Sequence, residues 1–369
     1  MYRNTWLEVD LDAIESNVRA TKAAAGKKYI AVLKADAYGS GDIQVARAAV
    51  HAGADMIAVS SLDEALMLRN EGCKEEMLIL GGTNPEDVPV LIANNISTAA
   101  YSCAWVKGIL QKNCKGLKVH LKVDTGMNRI GFKNLDELKA AKQALLDGGC
   151  SLTGIFTHFA CADTSEEMTQ KQFERFAAAV KTCDYPFEWI HCDNSDASVH
   201  FKDPLSNACR VGISLYGIST YMKDLKPALS LYSEIFMVKH VPAGETIGYG
   251  ATYTTPKEEI IATLPIGYAD GWIRANQGRR VYVNGSLCEV VGRICMDQCM
   301  IRLDHEEPIG TKVEIFGPHI PLEQMAAELH TISYEIICLL SDRVTRIYTR
   351  SGKPVDEENG RLRKSQLAD

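Results

Sequence analysis

A lysine ends a short apolar run near the amino terminus of the sequence. Residues 29–33 are apolar and partly β-branched, which is typical of a strand buried on both faces, and Lys34 follows directly. An amine at the end of such a strand is poorly hydrated, so it loses its proton more easily than a solvated lysine. A neutral amine in a pocket can form a Schiff base with an aldehyde such as pyridoxal phosphate. Taken alone, the pattern favours a lysine that simply extends into solvent over a lysine that forms a Schiff base.

Other side chains with chemical potential follow later apolar runs. Lys122 alternates with His120 and Asp124, so all three could face the inside of the same fold. Arg129 lies near two glycines in the next loop, where it could bind a carboxylate or remain on the surface. His158 could stack on a ring, act as a base or be a core histidine. The nine histidines show no HxH, HExxH or Cys/His ligand spacing, so no metal site is predicted.

Two segments rich in small or polar residues lie between residues 192 and 217. Ser195 stands in the first, CDNSDAS, and Gly212 and Ile213 stand in the second, RVGISLYG. A serine hydroxyl together with backbone amides near glycine is how barrel enzymes hold phosphate behind their last strands. Neither segment is a Walker loop or a GxGxxG motif, so ordinary loop structure remains the alternative.

The elements that must position these residues follow a regular alternation. Amphipathic segments at 43–52, 61–70, 135–147 and 167–182 separate the apolar runs. This spacing predicts a parallel (β/α)₈ barrel, whose chemistry lies at the carboxyl ends of the strands. The eight strand candidates are 29–33, 56–59, 77–80, 97–100, 118–123, 152–156, 189–191 and 212–216.

The second half of the chain has a different texture. Its short strand-like runs predict a mostly antiparallel β domain over 228–369, after a barrel domain over 1–227. Asn284-Gly285 is a strong hairpin signal, 322–338 contains a helical stretch, and the charged tail 352–369 is expected to be mobile. The strand candidates are 234–240, 259–264, 280–283, 288–294, 300–303 and 312–316.

Composition excludes several classes of protein. The formal net charge of -7 gives no reason to expect binding to nucleic acid or acidic membranes. No apolar run reaches the roughly 20 residues that span a bilayer, and the first residues show no signal peptide. The 12 cysteines contain no CxxC pair and are expected to be thiols. We therefore expect a soluble, cytoplasmic protein.

Taken together, the motifs are far more specific than any one of them. In the same order and over roughly residues 4–350, they resemble the bacterial alanine racemase family. The resemblance implies a (β/α)₈ barrel plus a β domain, pyridoxal 5'-phosphate on a lysine, and homodimers with shared active sites. It also implies interconversion of L-alanine and D-alanine, which supplies D-alanine for the cell wall. The strings are AVLKADAYG, KVDTGMNRIGF, THFA, HCDNSDAS, RVGISLYG, GYGATY, PIGYADGW, GRICMDQ and TISYEI with the later RVTRIY.

The resemblance also implies roles for individual residues. Lys34 resembles the Schiff-base lysine, and Tyr249 resembles the catalytic tyrosine, which acts in the partner subunit's site. Arg210 resembles the residue that faces the pyridine nitrogen, and His158 resembles the stacking partner of the ring. The remaining matches are Tyr38, Ser195, Gly212, Ile213 and Tyr334 for the phosphate, Arg129 and Met296 for the substrate carboxylate, and Lys122 as a carbamylated lysine.

Three positions depart from the family pattern. Ser40 stands where histidine is usual, and Asp193 and Asp196 stand where alanine is usual, beside Ser195. Two carboxylates near a phosphate are costly unless they point outward or pair with cations.

Serine racemisation, or a less specific racemisation of small amino acids, is the alternative activity. A non-catalytic pyridoxal-phosphate barrel and a decarboxylase fit less well, because the first lacks a second domain and the second carries a glycine-rich phosphate loop.

Overall fold

The chain opens with a strand, β1 (Thr5–Asp10), and a helix, α1 (Leu11–Ala25). The computed structural model describes residues 2–362, which divide into two units. The barrel unit consists of Ala13–Ala37 and Asp42–Lys226. The β unit combines the residues before Ala13 with Tyr38–Gly41 and the chain from Pro227 onward.

The alternation of apolar runs in the first half folds into a closed parallel barrel. Within residues 2–362, eight parallel strands follow each other round the barrel in chain order, and the last pairs with the first. Their side chains are almost all buried, because helices cover the outside and side chains fill the inside. The strands are β2 (Lys28–Val32), β3 (Met56–Val59), β4 (Met77–Ile79), β5 (Ile96–Ala100), β6 (Lys118–Lys122), β7 (Ser151–Phe156), β8 (Trp189–His191) and β9 (Ala208–Val211).

Amphipathic helices connect these strands, and polar side chains mark where several of them begin. Ser61, Ser102, Asn134 and Ser165 each accept a backbone N–H from the first turn of the helix that follows. The helices are α2 (Lys34–Gly39), α3 (Asp42–His51), α4 (Leu62–Asn70), α5 (Val88–Ala93), α6 (Cys103–Leu110), α7 (Leu135–Asp147), α8 (Glu166–Cys183) and α9 (Ala197–His200), with 3₁₀ turns at Pro85–Asp87 and Ile213–Tyr216.

The last barrel strand lies earlier in the chain than the sequence predicted. The prediction of a strand over 212–216 is wrong, because β9 ends at Val211 and Ile213–Tyr216 is a 3₁₀ turn. The apolar run spans both elements, so its pattern alone does not show where the strand ends. Pairing decides it: β9 aligns with residues 28–31 of β2, and Gly217, at φ 90°, ends the turn in the left-handed region.

The β unit contains a mostly antiparallel sheet. Its ten strands within residues 2–362 run in the order β11-β14-β17-β16-β15-β18-β10-β1-β19-β20, and β12 pairs with β13 separately. The strands are β10 (Leu229–Glu234), β11 (Met237–Val241), β12 (Thr246–Ile247), β13 (Tyr253–Thr254), β14 (Glu259–Leu264), β15 (Arg280–Val283), β16 (Ser286–Val291), β17 (Cys299–Leu303), β18 (Lys312–Phe316), β19 (Thr345–Arg350) and β20 (Lys353–Glu358). The two α-helices are α10 (Leu322–Glu328) and α11 (Ser333–Cys338), and 3₁₀ turns lie at Tyr249–Ala251, Tyr268–Asp270 and Arg274–Asn276.

Several predictions for this half of the chain need correction. The two units differ from the predicted domains 1–227 and 228–369, because the β unit begins at Pro227 and also contains Tyr38–Gly41 and the residues before Ala13. The strand β1 pairs antiparallel with β10 and parallel with β19. The predicted strand 234–240 begins at the last residue of β10 and covers most of β11, which starts at Met237. The predicted helical stretch 322–338 contains the two short helices α10 and α11. The tail expected to be mobile forms β20 against β19, whereas residues 363–369 lie outside the described residues. The hairpin at Asn284-Gly285 joins β15 to β16 as predicted.

One short helix has the opposite hand to the others. In α2 the four residues Ala35–Tyr38 all have φ between 49° and 60°, and Gly39 continues at 80°. A left-handed conformation costs L-residues roughly 1–2 kcal/mol each, so the surroundings must hold it. Ala35 donates its N–H to Glu64 Oε1 at 2.7 Å, and the Tyr216 hydroxyl donates to the carbonyl of Ala37 at 2.5 Å. This turn directly follows β2 and begins with Lys34.

The structure also tests two of the expectations from composition. Among the described residues, none of the helices has the length and apolar character that crossing a bilayer requires. The cysteines of the barrel unit are thiols, as predicted.

Candidate functional site

The carboxyl end of the barrel brings most of the predicted site residues of that unit together. Lys34 follows β2, Lys122 ends β6, and His158 lies two residues after β7. Burial lowers the pKa of His158 well below its usual value, and the positive charges of Arg210, Arg129, Lys122 and Lys34 lower it further. Arg210 contacts this imidazole directly, and the imidazole is neutral at physiological pH.

Arg210 lies at the centre of this group. Its buried guanidinium donates to the carbonyl oxygens of Thr157 at 2.7 Å, His191 at 2.9 Å and Cys192 at 3.1 Å. It also donates to Nδ1 of His191 at 2.9 Å and to Nδ1 of His158 at 3.1 Å. Among the described residues, none of these partners is a carboxylate. Burial lowers the pKa of Arg210 to about 10, so it stays charged at neutral pH.

The arginine determines which nitrogens of the neighbouring histidines carry protons. Because a guanidinium only donates, Nδ1 of His158 and Nδ1 of His191 must accept, and their protons lie on Nε2. His191 Nε2 then donates to Nδ1 of His120 at 2.9 Å, which leaves the His120 proton on Nε2, without a partner among the described residues. Burial, followed by the charge of Arg210, lowers the pKa of His120 to about 3. The histidines are thus neutral.

Lys122 is a buried amine beside other cations. Its Nζ donates to the carbonyl oxygen of Val123 at 2.8 Å and lies 5.3 Å from the centre of the Phe156 ring. Burial lowers the pKa of Lys122 to about 7; the charges of Arg210 and Arg129 lower it too, and Asp124 opposes them. At neutral pH the Lys122 amine is therefore unprotonated in a large fraction of the protein molecules, whereas an ordinary lysine is almost entirely charged.

The loop after β8 and the turn after β9 meet at Ser195. The N–H of Gly212 donates to the buried Ser195 Oγ at 3.0 Å, so the serine hydroxyl proton remains available to another acceptor. The next residue, Ile213, begins the 3₁₀ turn. Both aspartates that depart from the family pattern have partners: Asp193 pairs with Lys27 Nζ at 2.7 Å, and Asp196 accepts the N–H of Thr220 at 3.2 Å.

The β unit holds the other predicted site residues. Tyr249 lies between Gly248 (φ 70°) and Gly250 (φ 74°) in the turn from β12 to β13, and 71% of its surface is exposed. These positive φ values, which glycine adopts without strain, project the tyrosine away from its own sheet. Met296 is 53% exposed in another loop of the same unit. The rings of Tyr38 and Tyr334 lie 5.7 Å apart between centres, and Ser40 is buried.

Some residues of the site were not recognised from the sequence as partners of the predicted ones. His191 and the carbonyl of Thr157 hold Arg210, and Glu64 holds the turn that follows Lys34. Thr157 and His191 stand at or just after the end of a barrel strand, so their position at the carboxyl face was the available signal, whereas Glu64 lies in the first turn of α4. Lys27 carried no such signal, because it precedes its strand.

Fold and site together define a class: a (β/α)₈-barrel enzyme with a second, mostly antiparallel β domain and a cationic group at the barrel's carboxyl end. Family models place it more narrowly. Residues 9–220 match the alanine racemase N-terminal domain, and residues 228–348 match the alanine racemase C-terminal domain. The chain belongs to the alanine racemase family.

Individual relatives are similar to this chain over nearly its whole length. Alanine racemase 1 of Bacillus subtilis is 42% identical over 375 residues, covering 97% of this chain and 96% of that protein. Alanine racemase of Streptococcus pyogenes serotype M5 is 42% identical, covering 94% and 99%. The crystal structure of alanine racemase from Bacillus anthracis with bound L-Ala-P matches with a TM-score of 0.94 at 39% identity, covering 98% of this chain and 99% of that chain.

Proposed function

We propose that this chain is a pyridoxal-phosphate-dependent racemase that interconverts L-alanine and D-alanine. The observation that carries this proposal is Arg210, a buried and charged guanidinium whose partners among the described residues are carbonyls and neutral imidazoles. Such a group suits the ring nitrogen of a pyridine, because arginine donates a hydrogen bond there without giving up its proton. Family membership supports the reaction.

The residues of the barrel unit fit this cofactor. Lys34 supplies an amine at the end of β2, and the neutral His158 ring can stack on a pyridine. The Ser195 hydroxyl lies against the turn at Gly212 and Ile213, and a hydroxyl beside a glycine turn suits a phosphate. The carboxylate of Asp193 is paired with Lys27, so it repels a nearby phosphate less than an unpaired carboxylate would. In the β unit, the resemblance also supports Tyr38 and Tyr334, whose rings lie 5.7 Å apart between centres, as candidate phosphate-binding residues.

Racemisation requires that a proton leave one face of Cα and return on the other. When bound, pyridoxal phosphate acidifies the Cα–H bond of the amino acid attached to it. We assign proton transfer on one face to Lys34 and on the opposite face to Tyr249 of the partner subunit. Because Arg210 keeps its own proton, it limits charge transfer into the ring, which disfavours transamination. Arg129 holds the substrate carboxylate together with Met296, which the partner subunit supplies.

A homodimer with shared sites is part of the same proposal. Tyr249 and Met296 are large side chains, and their exposure in a monomer has no evident packing reason. Tyr268, in the turn whose backbone bonds to Cys295 and Met296, is also exposed. A second copy covering these residues would bury them. A cytoplasmic enzyme that supplies D-alanine to the cell wall is the corresponding physiological role, and the cysteine thiols support that compartment.

Reductive trapping tests the central assignment. Borohydride treatment of the protein with pyridoxal phosphate should place the pyridoxyl group on the peptide that contains Lys34, as read by mass spectrometry. Lys34→Ala should lose both this label and racemisation, whereas Lys28→Ala, at the other end of β2, should keep both. A Lys34→Ala protein with normal racemase activity would refute the assignment.

The two-base scheme has its own signature. Tyr249→Phe keeps the ring and removes the proton carrier, so cofactor trapping on Lys34 should persist. Racemisation should fall unequally, with proton abstraction from the L-enantiomer most impaired. Equal and mild losses for both enantiomers would show that Tyr249 only lines the site.

A further inference from the structure

A buried ionic cluster lies beside the loop that carries Ser195. It consists of Lys27, Asp193, Asp203 and Ser206, and is called here the Lys27 cluster. Lys27 Nζ lies 2.7 Å from Asp193 Oδ2, 2.5 Å from Asp203 Oδ2 and 2.7 Å from Ser206 Oγ. Both carboxylate side chains are fully buried, and only 15% of the lysine side chain is exposed. One ammonium therefore neutralises two carboxylates within the protein.

The charges of the cluster depend on one another. Burial lowers the pKa of Lys27, but attraction to Asp193 and Asp203 outweighs it and the net pKa is raised. Burial and the charge of Asp203 raise the pKa of Asp193. Asp203 has additional support, since Oδ1 accepts the backbone N–H groups of Leu205 at 2.9 Å and Ser206 at 2.5 Å. Apart from the lysine, Asp193 accepts from Ser206 Oγ at 3.2 Å and from Cys192 Sγ at 3.4 Å. These contacts are longer than that to the lysine, so Asp193 depends most on the lysine.

The backbone of Asp193 leads directly to the proposed phosphate site. Its carbonyl accepts the N–H of Arg210 at 2.9 Å, and two residues later Ser195 Oγ accepts the N–H of Gly212 at 3.0 Å. The side chain of Asp193 thus fixes one end of a short segment whose other end forms the serine–glycine contact. A cavity of about 320 Å³ borders the cluster, lined by Lys27 and Asp203 among others, so water has a route to the carboxylates if the ammonium is removed.

We infer that Lys27 is a positioning residue for cofactor phosphate: through Asp193 it holds the Ser195 segment in place. The inference rests on the proposed function, because it concerns the phosphate of pyridoxal phosphate. A buried carboxylate without its cation attracts water or a proton, and either would displace the segment.

Two ligands separate this role from general stabilisation. Protein freed of cofactor is titrated with pyridoxal phosphate and with pyridoxal, which has the same ring and aldehyde but no phosphate. Lys27→Met should weaken pyridoxal phosphate binding about tenfold or more, because the displaced Ser195 hydroxyl would lose its hydrogen bond to the charged phosphate, and should leave pyridoxal binding unchanged. Lys22→Met is the matched control: Lys22 forms an ion pair with Asp55 at 2.9 Å in the barrel unit, outside the Lys27 cluster, so this variant should change neither affinity.

A second variant keeps the test valid if Lys27→Met does not fold. Lys27→Met/Asp193→Ala removes the cation together with the carboxylate that depends most on it, while Asp203 keeps its backbone N–H donors. This variant should recover pyridoxal phosphate affinity to within about threefold of the wild type. If the folded variants bind both ligands equally more weakly, or if the ratio of pyridoxal phosphate affinity to pyridoxal affinity is unchanged, the inference about Lys27 is wrong. The proposed function would not be affected by that result. A wild-type protein that does not bind pyridoxal phosphate would instead overturn the proposed function, and this inference with it.

Discussion

At the scale of single residues, Lys122 shows how far the barrel alters a side chain. Its pKa of about 7 results from burial first and from the charges of Arg210 and Arg129 second. Carbon dioxide reacts only with the unprotonated amine, and the carbamate formed is an anion that can bind the Arg129 guanidinium. The cost of burying a third positive charge beside two arginines would then be replaced by an attraction.

We predict that Lys122 is carbamylated. With ¹³C-labelled bicarbonate at about pH 8, above the pKa, the protein should show a carbamate resonance that declines as the pH falls through about 7, because protonation removes the nucleophile. Lys122→Arg, which keeps the charge and cannot be carbamylated, should lack the signal. A wild-type spectrum identical to that of this variant would contradict the prediction.

Substrate choice is also a property of one residue, Tyr334. Its ring packs on Tyr38, and we propose that it narrows the space beside the substrate side chain. A methyl group fits such a wall, but burying an unpaired hydroxyl costs about 1–3 kcal/mol, so alanine should be preferred over serine roughly ten- to hundredfold.

Tyr334→Asn should raise the relative activity on serine, because it opens the wall and supplies an amide. Tyr334→Phe is the control that keeps the wall, and should retain the preference for alanine. The measurement is the ratio of kcat/KM for L-serine to that for L-alanine in each protein. Equal efficiency of the wild type on both substrates would favour the alternative activity, serine racemisation.

At the scale of elements, the left-handed turn α2 is the strained part of the barrel unit. Ala35 lies on it at φ 55° with its side chain exposed, whereas Ala140 is exposed on the right-handed helix α7. Replacing alanine by glycine costs about 1 kcal/mol in a right-handed helix, since glycine loses more entropy on folding. At Ala35 the relieved strain, about 1–2 kcal/mol, should offset that cost.

We therefore predict that Ala140→Gly lowers the free energy of unfolding and that Ala35→Gly leaves it unchanged or raises it. Urea denaturation followed by circular dichroism compares the two variants with the wild type. Equal destabilisation by both substitutions would show that the hand of the turn carries no strain. The comparison is clean because neither side chain is buried.

At the scale of the whole molecule, the proposed sites need two copies of the chain. If Lys34 acts with Tyr249 of the partner subunit, a dimer of one Lys34→Ala and one Tyr249→Phe subunit contains one intact site and one doubly altered site. Random mixing makes half of the dimers heterodimers, so about one quarter of wild-type activity should return.

The measurement mixes the two inactive proteins after dissociation and reassociation, and compares their activity with each protein alone. Heterodimers are verified with two affinity tags. If they form without any gain in activity, Lys34 and Tyr249 do not share a site across subunits. As a control, Lys34→Ala protein carrying one tag is mixed in the same way with Lys34→Ala protein carrying the other tag, which gives the background activity.

Local patterns in the sequence determined much of this molecule. The period of apolar residues predicted α7, β14, β15 and β18 with their observed bounds, and the Asn284-Gly285 pair predicted the hairpin. These features depend on residues close in sequence, whose burial and backbone preferences are readable from their types. The order of the motifs likewise indicated the family and the candidate residues.

Only the tertiary structure decided which groups meet. Lys27 and Asp193 are separated by 166 positions, and nothing in either local pattern indicates their ion pair. Closure of the barrel aligned β9 with β2 and so ended the strand at Val211, and sheet pairing drew β1 into the β unit. The period of apolar residues indicates whether a side chain is buried. The hydrogen-bond partners of that side chain, the charges around it and the hand of its backbone depend on segments that are distant in sequence and come close only when the chain folds.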